Sequence, residues 1–131
     1  FLKGFGLQRG AYGTTMSWDM PDMIVVGCDT QSMETVIERL KEIGGGGAYA
    51  IGKEIVAELP APLCGVISLK PMERVAKDVR KLEECLKKNG VKWEKPILTV
   101  DTLGTPAIPN LRITHHGYVR LKDREILSLE I

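Results

Sequence analysis

The chain has 131 residues, a length that suits one domain with a single hydrophobic core. Its 18 basic and 17 acidic residues leave a formal net charge of +1, so the composition does not predict a nucleic-acid-binding surface. No apolar run approaches the roughly 20 residues that cross a membrane, so we expect a partner that is neither nucleic acid nor membrane.

The first third of the chain predicts strands followed by a helix. Apolar or glycine-punctuated stretches predict strands at residues 2–7, 11–16 and 23–28, the last of them buried. A helix follows, because Asp29 or Thr30 can cap its first turn and apolar side chains then recur at helical spacing. Gly44 is expected to end this helix, since glycine adopts the left-handed conformation without steric penalty.

The glycine run 44–47 invites comparison with a phosphate-binding loop. Such a loop leads from a strand into a helix, whose N–H groups then face the anion. Here the run leaves a helix and enters a strand, so we interpret it as a helix end and a strand entry. A hairpin is predicted next, with its turn at residues 52–54.

The second helix has the clearest local pattern. Pro71 fits its first position, and apolar residues step by three and four from Met72 to Leu86. Asn89 and Gly90 end it. Further strands are predicted at 97–100, 119–121 and 126–129, with a proline-containing loop at 105–110. The expected fold is α+β, a single domain in which two amphipathic helices pack on a mixed β-sheet.

Neither histidine nor cysteine spacing predicts a metal site. His115 and His116 are adjacent, and the sequence contains no His-x-His or Glu-x-x-His pattern. Cys28, Cys64 and Cys85 are widely spaced, and we interpret them as buried, reduced thiols of a cytoplasmic protein. No nucleophile is paired with a base by spacing. We therefore expect no catalytic residue and no metal ligand in this chain.

The segment 17–22 is the best candidate for contact with a ligand. It joins two predicted strands and contains one aromatic side chain, Trp18, and two carboxylates, Asp19 and Asp22. Loops at strand ends often carry binding residues, although aspartate in a turn also commonly accepts hydrogen bonds from nearby backbone. Asp101, at the end of a later predicted strand, is equally ambiguous. We take Trp18, Asp19 and Asp22 as candidate substrate-binding residues.

Several motifs, in order, resemble the C-terminal domain of adenine deaminases. Residues 4–11 resemble the family's opening G-[FL]-x-L-x-R-G-A, and residues 57–68 are similar to its A-E-L-P-L-P…G-[LI]-[ML]-S. Residues 106–117 resemble P-x-I-P-x-[LI]-[KR]-[LI]-T-D-x-G. The resemblance extends over nearly the whole chain, so we expect residues 1–131 to form one such domain.

The resemblance implies that the chain is an accessory part of an enzyme. Adenine deaminases of this kind are amidohydrolases, in which divalent metals in a TIM-like barrel activate the water that converts adenine to hypoxanthine and ammonia. A barrel of this type needs about 200 residues or more. The chain is therefore not expected to be catalytic alone. Its implied partner is the barrel of the parent protein, which is expected to hold manganese or iron, and homo-oligomer formation is left open.

The chain departs from the family pattern at the candidate segment. Members often carry His-Asp-Ser-His-Asn there, whereas this chain has Trp18-Asp19-Met20-Pro21-Asp22 and retains only the aspartate. The loss of both histidines supports an alternative function. In that alternative, the chain is a non-catalytic interaction or small-ligand-binding module of a deaminase-related protein that has lost its activity.

Overall fold

The computed structural model describes residues 2–17, 19, 22–105, 107, 110–114 and 116–128. Over these residues the strands are β1 (Ala11–Thr14), β2 (Ile24–Gly27), β3 (Gly46–Ile51), β4 (Glu54–Pro60), β5 (Leu111–Thr114), β6 (Gly117–Arg120) and β7 (Glu125–Leu127). The helices are α1 (Thr30–Glu42), α2 (Met72–Lys88) and α3 (Pro96–Asp101). None of these described helices is long and apolar enough to cross a membrane.

The described strands form two sheets. The first has the order β2-β1-β3-β4, and the second has the order β5-β6-β7. Neighbouring strands in both sheets are antiparallel, and an isolated parallel bridge joins Gly45 to Gly65. The predicted α+β class is confirmed, and so are the hairpin turning at 52–53 and the terminal hairpin of β6 and β7.

The two faces of the first sheet carry side chains of very different size. In the register of β1 with β3, Ala11 lies opposite Ala50 and Tyr12 lies opposite Tyr49. Because successive side chains of a strand point to opposite faces, the alanines share one face and the tyrosines share the other. Helix α1 packs on the alanine face, while α2 and α3 pack on the tyrosine face. The sheet is thus buried between helices on both sides.

Both long helices begin and end close to where the sequence predicts. Asp29 caps α1, since its carboxylate accepts the Ser32 N–H at 2.7 Å, and Gly44 follows the helix with a φ of +75°. Helix α2 begins at Met72 and not at Pro71, whose extended ψ of 149° makes it the N-cap. Leu86 is fully buried, as its position in the apolar stripe predicts, whereas Met72 in the first turn is exposed.

The predicted strand at 97–100 is wrong, because these residues form the short helix α3. A short, mostly apolar run is compatible with either a strand or a helix, because it is too short for its periodicity to distinguish them. Pro96 occupies the first helical position, which its fixed φ favours. Ile97 and Val100, three residues apart, then both face the core.

Other differences lie at the edge of the first sheet. No strand forms at 2–7, where Gly4 and Gly6 have φ values of +92° and +87° that interrupt an extended chain. The strand predicted as buried at 23–28 is the edge strand β2, which is only partly buried because one side has no neighbouring strand in the described chain. The cysteines were predicted to be buried, yet Cys28 and Cys64 are exposed.

Candidate functional site

The structure places the two described candidate residues, Asp19 and Asp22, in different grooves. Trp18 lies outside the described residues. Asp19 lines a groove of about 600 Å³ beside the glycine run, and Asp22 lines a separate groove of about 750 Å³ along β2. Met23 lies at the boundary and lines both grooves. The loop between β1 and β2 therefore separates two concave surfaces.

The carboxylate of Asp19 is held by two hydroxyl groups. Ser17 Oγ donates to Asp19 Oδ1 at 3.3 Å, and Thr105 Oγ1 donates to Asp19 Oδ2. Thr105 is only 1% exposed, and its carbonyl oxygen accepts a hydrogen bond of 3.0 Å from Arg112 Nε. Asp19 thus connects the β1–β2 loop to the segment that follows α3. The exposed carboxylate of Asp19 is therefore fixed in position. Such preorganisation is what a group that contacts a partner or ligand requires.

The same loop is pinned against the glycine run by Thr15. Its N–H donates to Gly46 O at 2.9 Å, and its Oγ1 both donates to Gly65 O at 2.6 Å and accepts from Gly46 N at 2.8 Å. A Cβ on Gly45 would lie 2.6 Å from Gly65 Cα and 2.7 Å from Thr15 Oγ1. The glycines therefore permit close backbone approach, which agrees with their interpretation as a strand entry.

A second polar cluster lies inside the core. Asp101, the last residue of α3, is 7% exposed, and Tyr12 of β1 is 0% exposed. Among the described residues neither Asp101 Oδ1 nor the Tyr12 hydroxyl has a hydrogen-bond partner. Burial raises the pKa of Asp101 to about 6, against an opposing effect of nearby Thr14. Burial also raises the pKa of Tyr12, as does the neighbouring Asp101 carboxylate. The cluster lines neither groove, so it acts on stability.

His116 is the only member of the histidine pair that the structure describes. His115 lies outside the described residues, and His116 is exposed in the turn between β5 and β6, where its backbone N–H donates to Thr114 Oγ1 at 3.2 Å. Within the described ranges, no group of three or more His, Cys, Asp or Glu side chains could hold a metal ion. The described geometry supports a binding or docking role for the grooves and contains no assembled catalytic set.

Thr105 and Arg112 are not predicted from the sequence as functional residues. Thr105 is 86 positions from Asp19, and nothing in the local pattern around either residue indicates that they meet. The only available signal is that Thr105 immediately precedes a motif of the family resemblance. That signal marks the region but does not specify the pair.

The family to which the chain belongs follows from its match to a known domain family. A family described as the adenine deaminase C-terminal domain matches residues 1–125. The chain belongs to this family. The match extends over nearly the whole of this chain, as the ordered motifs predict.

Named relatives give the same result. An adenine deaminase of Cereibacter sphaeroides is 42% identical over 127 residues, which are 97% of this chain and 22% of the relative. One from Brucella abortus is 37% identical over 98% of the chain and 22% of the relative. One from Desulfatibacillum aliphaticivorans is 36% identical over 98% of the chain and 23% of the relative. The adenine deaminase C-terminal domain described here therefore spans little more than a fifth of the length of these relatives.

Proposed function

We propose that residues 1–131 form the accessory domain of a cytoplasmic, metal-dependent adenine deaminase that converts adenine and water to hypoxanthine and ammonia. The observation that carries this proposal is the family match over residues 1–125, joined to relatives that are named adenine deaminase. The deamination chemistry belongs to a barrel that holds manganese or iron. The accessory domain packs against that barrel and shapes the mouth of its active site.

The β1–β2 loop is the part of the domain that best suits contact with the barrel. It carries the fixed carboxylate of Asp19 and separates two grooves, both lined mainly by apolar surface. Asp19 is also the one residue of the family's His-Asp-Ser-His-Asn stretch that this chain retains. In this proposal Asp19 lies toward the substrate, and substrate-binding roles for Trp18 and Asp22 stay predictions from the sequence.

The proposal is tested on the complete coding region that contains this chain. We expect the product to include His-x-His and further barrel ligands, and to release ammonia from adenine when loaded with manganese or iron. The 131-residue chain alone should release none under the same conditions. Hypoxanthine formation, followed by chromatography, provides the second readout. Metal-dependent ammonia release by the chain alone would contradict the accessory assignment.

The second candidate function is a non-catalytic small-ligand or interaction module. The specific observation in its favour is the replacement of both family histidines, at Trp18 and Pro21. A complete product that binds adenine in calorimetry but releases no ammonia with either metal would favour this alternative. A coding region without barrel ligands would favour it as well.

Asp19 provides a more specific prediction. In the active full-length enzyme, Asp19→Ala is expected to lower kcat/KM by about tenfold, which corresponds to about 1.4 kcal/mol of transition-state stabilisation. Thr105→Val removes the hydroxyl donor but keeps the shape of the buried side chain, so it tests positioning alone. A larger loss for Asp19→Ala than for Thr105→Val indicates that the carboxylate contacts substrate. Equal losses indicate a positioning role.

Glu94→Ala, at an exposed carboxylate of the loop before α3, is the matched control and should leave the kinetics unchanged. Thermal unfolding of each variant separates a kinetic effect from a loss of folded protein. Wild-type kinetics in Asp19→Ala would end the role proposed for this residue.

A further inference from the structure

The groove along β2, which we call the β2 groove, opens onto the edge of the first sheet. All seven consecutive residues from 22 to 28 line it. Because successive side chains of a strand point to opposite faces, one groove can touch all of them only if it straddles the strand edge. Phe5 and Ile113 contribute to one wall, and Met33 of α1 contributes to the other.

The backbone of β2 presents hydrogen-bonding groups to this groove. Cys28 N donates to Gly10 O at 2.9 Å on the side of β1. In an antiparallel pair the direction of the bonds alternates, so Ile24 and Val26 also bond toward β1. The N–H and C=O groups of Val25 and Gly27 therefore point outward. Within the described chain no strand pairs with that edge.

The pairing of β1 with β3 supports the same assignment independently. Thr15 N donates to Gly46 O at 2.9 Å, on the β3 side. Odd-numbered residues of β1 therefore bond to β3, and even-numbered residues such as Tyr12 bond to β2. Tyr12 lies opposite Val26 in the register. Both hydrogen bonds therefore indicate that the backbone N–H and C=O groups of Val25 and Gly27 face away from β1.

We infer that the β2 groove receives an extended apolar segment from the catalytic portion of the same polypeptide, which pairs with β2 as an added strand. This inference rests on the proposed function. Outward N–H and C=O groups at alternate residues are what an added strand requires, and a mostly apolar wall matches apolar side chains on both of its faces. An open strand edge is also a liability that folded proteins usually cover.

The shape of the groove favours an extended segment over a second copy of this chain. In each copy β2 lies between walls that include Phe5 and Ile113 on one side and Met33 on the other. Pairing of two such edges would bring these walls of both copies against each other, whereas a single extended segment meets only one set of walls. In the relatives the matched region is only 22–23% of the protein, so the same fold adjoins a much longer polypeptide there.

The test is hydrogen exchange of residues 22–28, read by mass spectrometry with residue-level fragmentation. In the 131-residue chain, the amides of Ile24 and Val26 should be protected, which verifies folding, while those of Val25 and Gly27 exchange fast. In the complete polypeptide, Val25 and Gly27 should exchange at least about tenfold more slowly. Unchanged exchange at these two amides overturns the inference. Slowing that appears in the chain alone as its concentration rises also overturns it, in favour of a second copy.

A pair of variants of the complete polypeptide tests the same point without using the isolated chain. Ile113, 55% exposed, lines the groove, and Ile126, 63% exposed on β7, does not. Ile113→Glu should restore fast exchange at Val25 and Gly27, and Ile126→Glu should leave them slow. The same exchange in both variants overturns the inference.

The failure of this inference is distinguishable from failure of the proposed function. A protein that deaminates adenine while Val25 and Gly27 remain unprotected contradicts the groove assignment alone. A protein that protects both amides but releases no ammonia supports the groove assignment and contradicts the proposed activity.

Discussion

Asp101→Asn is expected to stabilise the domain at pH 8 by up to about 3 kcal/mol relative to wild type. The folded-state pKa of Asp101 is about 6, above its ordinary value of 3.8, because burial disfavours the charged carboxylate. The protonated form is therefore favoured by folding. Its stabilising contribution is complete below pH 4 and is lost as the pH rises through 6, which amounts to about 3 kcal/mol for this difference in pKa. Asparagine has no charge to bury.

Urea unfolding at pH 4.5 and pH 8 measures this effect. Other groups contribute with the opposite sign, since hydrogen bonds from Arg39 lower the pKa of Glu58 and its stabilisation is lost at acid pH. The relevant quantity is therefore the difference between wild type and Asp101→Asn at each pH. Asp123→Asn, at an exposed aspartate of the terminal hairpin, is the control and should show no such difference. A pH-independent difference for Asp101→Asn would contradict the prediction.

Gly46→Ala is expected to destabilise the domain by more than about 4 kcal/mol, a large part of the 5–15 kcal/mol typical of domains. Gly46 has a φ of +121°, and a Cβ there would lie 1.9 Å from Leu59 O and 2.8 Å from Ala61 N. Both contacts are with backbone of the adjoining strand and its continuation. The clash therefore cannot be relieved by a change of rotamer.

Gly117→Ala is the matched control for this substitution. Gly117 has a similar φ of +114°, but the nearest atom to an added Cβ is Ile126 Cγ2 at 3.5 Å. It should lose only the roughly 1–3 kcal/mol of backbone strain. The difference between the two variants in urea unfolding isolates the steric clash. If Gly46→Ala does not fold, the stabilities of Gly46→Ala and Gly117→Ala can still be compared by their resistance to proteolysis during expression. Equal losses would mean that the clash is relieved by movement of β4.

The sequence predicts best the features that depend on neighbours along the chain. The cap at Asp29 and the stop at Gly44 need only a few adjacent residues, and α1 has them. The strand predicted at 97–100 is wrong because a segment of four residues, three of them apolar, is too short to distinguish a helical from a strand period. Pro96 was the local signal for a helix, through its preference for the first helical position.

The candidate site is predicted less well because it depends on contacts between distant segments. Ser17, Asp19 and Asp22 lie between β1 and β2, as the sequence predicts, but the partner of Asp19, Thr105, is remote in sequence. One groove forms where β2 meets residues near 5 and 113, and the other forms where the β1–β2 loop meets the end of α1 and residues 64–66. Local sequence pattern does not specify either arrangement. Asp101 was identified as ambiguous, and only packing shows that it is buried with Tyr12.

The two faces of the first sheet tolerate opposite kinds of change. On the face of α1, almost every substitution of Ala11 or Gly13 adds volume, and a Cβ on Gly13 would already lie 2.5 Å from Val36 Cγ1. On the other face, almost every substitution of Tyr12 removes volume, which leaves a cavity beneath α2. Along β1, substitutions at odd-numbered positions therefore destabilise the domain by overpacking, whereas substitutions at Tyr12 destabilise it by leaving a cavity. The two faces of the sheet consequently tolerate different kinds of substitution during evolution.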